Sequence, residues 1–157
     1  MKTPLRRIVL IGENIELRIV SLVVRCREVA EDVVVFDTGS TDETVQLAGE
    51  VQSRVVEYNG DLTPQHLAKA AVSASLDDGL TLFLPISPMW KMAELPLSVN
   101  RAREGWDIHY LYREQPGTNA LEPMMLANAS MGHLIASAAG LHHLAQLPDD
   151  ATTDDVS

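Results

Sequence analysis

The stretch VVVFDTGSTDET, at positions 33–44, contains the strongest fold signal in this chain. It opens on a short apolar run rich in β-branched residues, which is typical of a strand that is buried on both faces of a sheet. The polar run that follows contains Gly39 and predicts a tight turn. Apolar residues then recur at helical intervals between Val45 and Val51. The stretch therefore predicts a strand, a loop and a helix in that order.

Strands and helices alternate on both sides of this stretch. Further segments have strand patterns, at residues 8–11, 54–58, 80–84 and 108–113. Apolar residues recur at helical spacing in the chain between the segments at residues 8–11, 54–58 and 80–84, and again at residues 95–103. Asn14 is expected to cap the first helix. Strands that alternate with helices form βαβ units with right-handed crossovers. The sequence therefore predicts an α/β fold with a mainly parallel sheet and helices on both faces.

Length, charge and cysteine content limit the class of protein further. A chain of 157 residues is too short for two ordinary cores, which need roughly 200 residues or more, so residues 1–147 are predicted to form a single domain and residues 148–157 an acidic tail. The net charge of −10 disfavours nucleic acid as a partner. No apolar run approaches the ~20 residues of a transmembrane helix, and no signal-peptide pattern is present, so a cytoplasmic location is expected. Cys26, the single cysteine, is expected in the core.

Two loops lie where a ligand is expected, because sheets of this kind bind ligands beyond the carboxyl ends of their strands. One loop spans residues 37–41 after the second strand, and the other spans residues 85–90 after the fourth. Asp37 stands at the end of its strand, where a fixed carboxylate accepts hydrogen bonds from N–H and O–H donors of a ligand. The alternative from the residues alone is that Asp37 stabilises a turn.

The segment after the second strand resembles the nucleotide-binding segment of family 2 nucleotide-sugar glycosyltransferases. That segment is usually a strand that ends in DDGSTD or DSGSTD, followed by one variable residue and Thr. The residues that match it are Asp37, Gly39, Ser40, Thr41, Asp42 and Thr44. Thr38 stands where Asp or Ser is commoner. The Gly12-Glu13-Asn14 stretch resembles the loop that opens the first helix of this fold.

This resemblance implies a Rossmann-like fold of the GT-A type and a nucleotide-binding site. The residues that it places in the site are Asp37, Gly39, Ser40, Asp42 and Glu13. Asp37 is expected to point into an open crevice and to accept hydrogen bonds from the uracil or ribose of a nucleotide sugar. The expected partner is a UDP-, GDP- or dTDP-linked sugar. For Asp42, the residues themselves favour a structural role at a helix N-terminus.

The second loop departs from the family at its metal site. The family normally carries a DXD motif there, whose aspartates hold magnesium or manganese, whereas this chain has Pro85-Ile86-Ser87. Proline and isoleucine offer no side-chain oxygen, and hard divalent cations need several oxygen ligands. No metal site and no divalent cofactor are therefore predicted. Asp77 and Asp78 precede the fourth strand and are expected at the opposite edge of the sheet.

Lys91 and Asp155 complete the predicted site. Lys91 follows the second loop and is the candidate cation for a diphosphate, although a solvated lysine after a turn is the favoured alternative. The Thr153-Asp154-Asp155 segment resembles the family's TED segment, so that Asp155 is the candidate catalytic base. The alternative favoured there is a disordered acidic tail.

Two classes of function follow from these features. The first is a glycosyltransferase-like protein that binds a nucleotide sugar and transfers the sugar to an acceptor hydroxyl with inversion. The second is a non-catalytic module of the same fold that binds a nucleotide or assembles with a protein partner or a second copy. The missing DXD motif weighs against catalysis, because electrostatic stabilisation of the leaving diphosphate is usually the largest catalytic contribution.

Overall fold

The computed structural model describes residues 4–88, 90–104, 107–110 and 133–148. Its strands are β1 Leu5–Gly12, β2 Asp32–Asp37, β3 Arg54–Glu57, β4 Leu80–Pro85, β5 Ile108–Tyr110 and β6 Leu134–Ala136. Its α-helices are α1 Ile19–Arg27, α2 Thr44–Glu50, α3 Pro64–Ser73, α4 Leu95–Ala102 and α5 Ala138–Ala145. A short 3₁₀ helix, Met92–Glu94, precedes α4.

The strands form one sheet in the order β3-β2-β1-β4-β6-β5. The pairs β1–β2, β2–β3 and β1–β4 are parallel, whereas β6 is antiparallel to both of its neighbours. The predicted mainly parallel sheet is therefore confirmed. Because β1 lies between β2 and β4, the chain extends the sheet first to one side of β1 and then to the other. This reversal is a topological switch point, the place where such sheets bind ligands.

The core lies on both faces of the sheet, because alternate residues of β1 point to opposite sides. Ile8 and Leu10 pack with α1, α2 and α4, whereas Val9 and Ile11 pack with α3 and α5. The prediction of helices on both faces is therefore confirmed. Cys26 is fully buried in the first of these layers, as predicted, and burial raises the pKa of its thiol to about 12.

Two boundaries differ from the sequence predictions. The helix predicted to follow Asn14 begins only at Ile19, because residues 15–18 form a turn that is closed on the Ile15 carbonyl by the N–H groups of Arg18 and Ile19. Asn14 has a φ of 54° and does not cap α1. Helical spacing ahead of β4 extends to Leu76 in the sequence, whereas α3 ends at Ser73, since Ser75 adopts a φ of 60°.

A cluster of charged side chains closes the amino-terminal edge of the sheet. Arg7 is buried and donates to Asp32 over 2.8 Å and to Asp78 over 2.5 Å. Hydrogen bonds from Arg7 and Arg6 lower the pKa of Asp78 to about 2. Asp78 therefore lies at the edge opposite the predicted ligand loops, as expected.

Of the helices in the described parts of the chain, none combines the length and apolar character that spanning a bilayer requires.

Candidate functional site

Three loops meet at the carboxyl edge of the sheet, and the candidate site is built from them. Loop 1 (residues 13–18) follows β1, loop 2 (residues 38–43) follows β2, and loop 4 (residues 86–88 and 90–91) follows β4. Since β1 lies between β2 and β4, loop 1 is the central one. It is hydrogen-bonded to loop 2 on one side and to loop 4 on the other.

Asp37 holds loop 2 in its turn. Its carboxylate accepts hydrogen bonds from the N–H groups of Gly39 over 3.3 Å and Ser40 over 3.1 Å, and from the Ser40 hydroxyl. The residue is only 6% exposed, which corrects the expectation of a carboxylate in an open crevice. A carboxylate offers about four acceptor sites, so one remains beyond these three bonds. The turn-stabilising alternative therefore describes the contacts that Asp37 makes within the chain.

Gly39 and Glu13 lie on the open side of this turn. Gly39 has a φ of 129°, a conformation that L side chains rarely adopt, so that this position favours glycine. Glu13 is exposed and accepts a hydrogen bond from the Thr38 hydroxyl over 3.4 Å. The structure thus brings Asp37, Gly39, Ser40 and Glu13 together, and nucleotide binding by them stays a prediction.

Asn14 joins loop 1 to loop 2 by three hydrogen bonds, one of which the Thr41 hydroxyl donates to the Asn14 side-chain oxygen over 3.3 Å. Its side-chain oxygen accepts from the N–H of Thr41 over 2.8 Å, and its own N–H donates to the Ser40 hydroxyl oxygen over 3.0 Å. Sequence reasoning gave Asn14 a different role, as a cap. The residue type could have indicated the turn at Asn14 that brings the two loops together, because asparagine tolerates the left-handed conformation better than most residues.

Asp42 forms a second connection between the two loops. Its carboxylate accepts from the N–H groups of Glu16 over 3.2 Å and Thr44 over 3.0 Å. Burial pushes the pKa of Asp42 upward, but the Thr44 hydroxyl and these N–H groups outweigh it and hold the pKa below its usual value. These contacts match the structural role at the start of α2 that the residues favoured. Nucleotide binding by Asp42 stays a prediction.

Loop 4 packs directly against the end of β1. Ile86 is buried and donates its N–H to the Ile11 carbonyl over 2.7 Å. A Cβ atom at Gly12 would lie only 2.9 Å from the Ile86 carbonyl oxygen, so the close approach requires glycine. The Pro85-Ile86-Ser87 segment therefore lies beside the switch point. No cluster of three or more His, Cys, Asp or Glu side chains suited to a metal ion occurs in the described ranges.

Arg18 connects loop 1 to loop 4 and was missed by sequence reasoning. Its Nη1 donates to the Trp90 carbonyl over 2.8 Å, and its Nη2 donates to the Ser87 carbonyl over 2.9 Å. The side chain is half-buried. Both contacts cross about 70 residues of sequence, so that no local pattern could have indicated them.

Of the other two predicted site residues, Lys91 and Asp155, only Lys91 lies among the described residues. The Lys91 side chain is exposed, and its backbone N–H donates to the Glu94 carboxylate over 3.0 Å. This position agrees with the solvated lysine that the residues favoured, and a role at a diphosphate stays a prediction. Asp155 and the rest of the predicted tail beyond Pro148 lie outside the described residues, as do residues 111–113 of the predicted fifth strand.

Solved structures share this fold. Glucosyl-3-phosphoglycerate synthase from Mycobacterium tuberculosis, in complex with Mn²⁺, UDP and glucosyl-3-phosphoglycerate, superposes with a TM-score of 0.51 at 20% identity over 88% of this chain and 64% of that one. The complex of the same enzyme with Mn²⁺, UDP and phosphoglyceric acid gives 0.51 at 21% identity, over 88% and 63%. The chain thus spans somewhat less than two thirds of the length of that enzyme.

A further solved structure, 4-diphosphocytidyl-2C-methyl-D-erythritol synthase, has a TM-score of 0.53 at 14% identity, over 97% of this chain and 83% of that one. No protein-family model matches the sequence, and no curated protein matches it. At these identities the structural likeness defines the fold and nothing finer. The fold is a GT-A-like, Rossmann-type α/β fold, as the sequence predicted.

Proposed function

We propose that this chain binds a nucleotide sugar at the carboxyl edge of β1, β2 and β4 and transfers the sugar to an acceptor hydroxyl. One observation carries the proposal: Asp37, Gly39 and Ser40 form a single turn that is hydrogen-bonded to loop 1. This turn lies at the switch point of a GT-A-like sheet. The sequence of that turn resembles a nucleotide-binding segment. Support also comes from the synthase of the same fold, whose structures contain UDP.

The proposed nucleotide contacts use groups that the loops hold in fixed positions. Asp37 has one acceptor site left for an N–H or O–H donor of the base or ribose. The exposed Glu13 carboxylate beside the turn is a second acceptor. Bonds of this charge-assisted kind contribute about 1.5–3 kcal/mol each. The interlocked loops reduce the entropy that binding would otherwise cost, since little ordering remains to be done.

The proposed transfer is a displacement at the anomeric carbon. The bond from that carbon to the diphosphate oxygen breaks, and the diphosphate leaves with the electron pair. The acceptor oxygen forms the new bond with inversion and gives its proton to a carboxylate, for which we propose Asp155. Such a base must approach the acceptor hydroxyl to within roughly 3 Å. Since Pro85 and Ile86 offer no oxygen side chains, we propose that the reaction proceeds without a metal at this segment.

The alternative function is a non-catalytic module of the same fold. The Pro85-Ile86-Ser87 segment favours it, because three residues at the carboxyl end of β4 supply no carboxylate. Such a module would bind the nucleotide through loops 1 and 2 or would assemble with a protein partner or a second copy. Truncation after Leu147 separates the two functions: an enzyme would lose transfer activity, whereas a binding module would keep its nucleotide affinity.

Calorimetric titration with UDP-, GDP- and dTDP-sugars tests the proposal. One of these ligands is expected to bind, and Asp37→Asn is expected to weaken it about 10- to 100-fold, because the variant keeps the shape of the turn but loses the charge. Glu28→Gln removes the same charge from the exposed end of α1 and serves as the control. Absence of binding by the whole panel, or equal affinities for both variants and the wild type, would contradict the proposal.

A further inference from the structure

Arg18 lies at the carboxyl edge of β1 and β4, where the sheet reverses its order. Its guanidinium donates to the carbonyl oxygens of Ser87 and Trp90, which belong to the loop after β4. Arg18 itself belongs to the loop after β1, the strand that is paired with β4. The positive charge is therefore fixed at the carboxyl ends of β1 and β4, beside the Pro85-Ile86-Ser87 segment.

No carboxylate neutralises this charge among the described residues. Arg6 and Arg7, at the opposite edge, are paired with Glu31, Asp32 and Asp78. Arg18 has only the two carbonyl partners, although the chain has a net charge of −10. Carbonyl oxygens orient a guanidinium but carry no full charge, and the remaining N–H groups of Arg18 have no partner in the described parts of the chain. A half-buried arginine of this kind is suited to an anion that arrives from solution.

We propose that Arg18 binds the diphosphate of the nucleotide and supplies the positive charge that a divalent cation provides elsewhere. This inference rests on the proposed function. A planar guanidinium donates two parallel hydrogen bonds to phosphate oxygens, and its charge does not depend on pH in the ordinary range. The two carbonyl bonds hold the side chain in place before the ligand arrives. Lys91 is the last residue of the same loop, and its side chain is exposed.

A comparison of ligands with and without a diphosphate tests this role. Uridine, UDP and inorganic pyrophosphate are titrated calorimetrically in the presence of a chelator. The wild type is expected to bind UDP and pyrophosphate. Arg18→Gln is expected to lower the affinity for each of them about 10- to 100-fold and to leave the affinity for uridine unchanged. Arg18→Lys keeps the charge without the planar guanidinium. Its affinities for UDP and pyrophosphate are expected to lie between those of the wild type and Arg18→Gln. The UDP affinity of the wild type is expected to decrease with salt more steeply than that of Arg18→Gln.

Arg25→Gln is the matched control. Arg25 is exposed on α1, about two helical turns beyond Arg18 and away from the carboxyl edge, so its loss changes the net charge equally. It is expected to leave all three affinities unchanged. Thermal melting of each variant shows whether the fold survives, and Arg18→Lys carries the test if Arg18→Gln does not fold.

The results that would overturn the proposal differ from those that would overturn nucleotide binding. If uridine and UDP weaken by the same factor in Arg18→Gln, Arg18 only anchors loop 4. If UDP binds the variant and the wild type equally, Arg18 does not contact the diphosphate. In both cases nucleotide binding itself stands. If neither uridine nor any nucleotide sugar of the earlier panel binds the wild type, the proposed function fails and the role of Arg18 fails with it.

Discussion

Thr41 donates its backbone N–H to the side-chain oxygen of Asn14 over 2.8 Å. This bond joins the loops that follow two adjacent parallel strands, and it crosses 27 positions of sequence. Asn14 reaches Thr41 because its φ of 54° turns the chain immediately after β1. The order of the candidate site therefore depends on a residue that does not itself belong to the matched DTGSTD segment.

Replacing Asn14 should loosen this connection. Asn14→Ala removes the acceptor and forces an alanine into the left-handed conformation, so we expect a loss of about 1–3 kcal/mol in the free energy of unfolding, measured in urea. Asn14→Gly lacks the acceptor but tolerates the φ angle, and should lose less. Equal stability of Asn14→Ala and the wild type would show that the bond between the loops contributes nothing.

Gly12 should be intolerant of even the smallest side chain. A Cβ atom there would lie 2.9 Å from the Ile86 carbonyl oxygen, so Gly12→Ala must push loop 4 away from β1. We expect a loss of about 1–3 kcal/mol by denaturant unfolding. The control is Gly49→Ala in α2, where a Cβ atom has no neighbour within 4 Å and helix propensity predicts a gain of about 0.5–1 kcal/mol. The interpretation of close packing is wrong if both variants gain stability.

The stability of the protein should depend on the protonation of His133. Burial, assisted by the nearby charges of His109 and Arg101, lowers the pKa of His133 to about 4. In the unfolded chain this pKa is about 6.5, so between pH 6.5 and 4 the unfolded state binds a proton that the folded state does not. The stability that depends on a neutral His133 is therefore fully present above pH 6.5 and is lost as the pH falls towards 4. The free energy of unfolding falls by at most about 3 kcal/mol over this interval.

Urea unfolding at several pH values checks this prediction. His133→Asn can retain a hydrogen bond to Ser98, whose hydroxyl lies 3.2 Å from Nδ1 of His133, and should unfold with a shallower pH dependence over that interval. His143→Asn, on the exposed side of α5, is the control and should follow the wild type. A variant at position 133 with the full wild-type slope would assign the pH dependence to other groups.

Manganese and magnesium should leave nucleotide affinity unchanged. The segment at the end of β4 offers one hydroxyl oxygen, from Ser87, whereas these cations require several oxygen ligands. Calorimetric titrations of the same nucleotide sugar with either metal and with a chelator should therefore give the same affinity. A clear enhancement by manganese would mean that carboxylates from elsewhere in the chain complete a metal site.

Local patterns predicted the features that depend on neighbouring residues. The four parallel strands follow from apolar β-branched runs that are bounded by turn residues. The bonds made by Asn14 and Arg18 could not be predicted in this way, because each joins loops that become neighbours only when the sheet forms. The burial of Asp37 likewise depends on the packed loop and not on its sequence.

Amide chemical-shift mapping tests most directly whether a nucleotide sugar binds where loops 1, 2 and 4 meet. Titrating the labelled protein with the UDP-, GDP- or dTDP-sugar that binds should move the backbone amide signals of Glu13, Gly39, Ser40 and Ser87. The signals of Arg6, Arg7 and Asp78, at the opposite edge of the sheet, should stay in place. Shifts confined to that opposite edge, or no shifts with any ligand of the panel, would contradict the account.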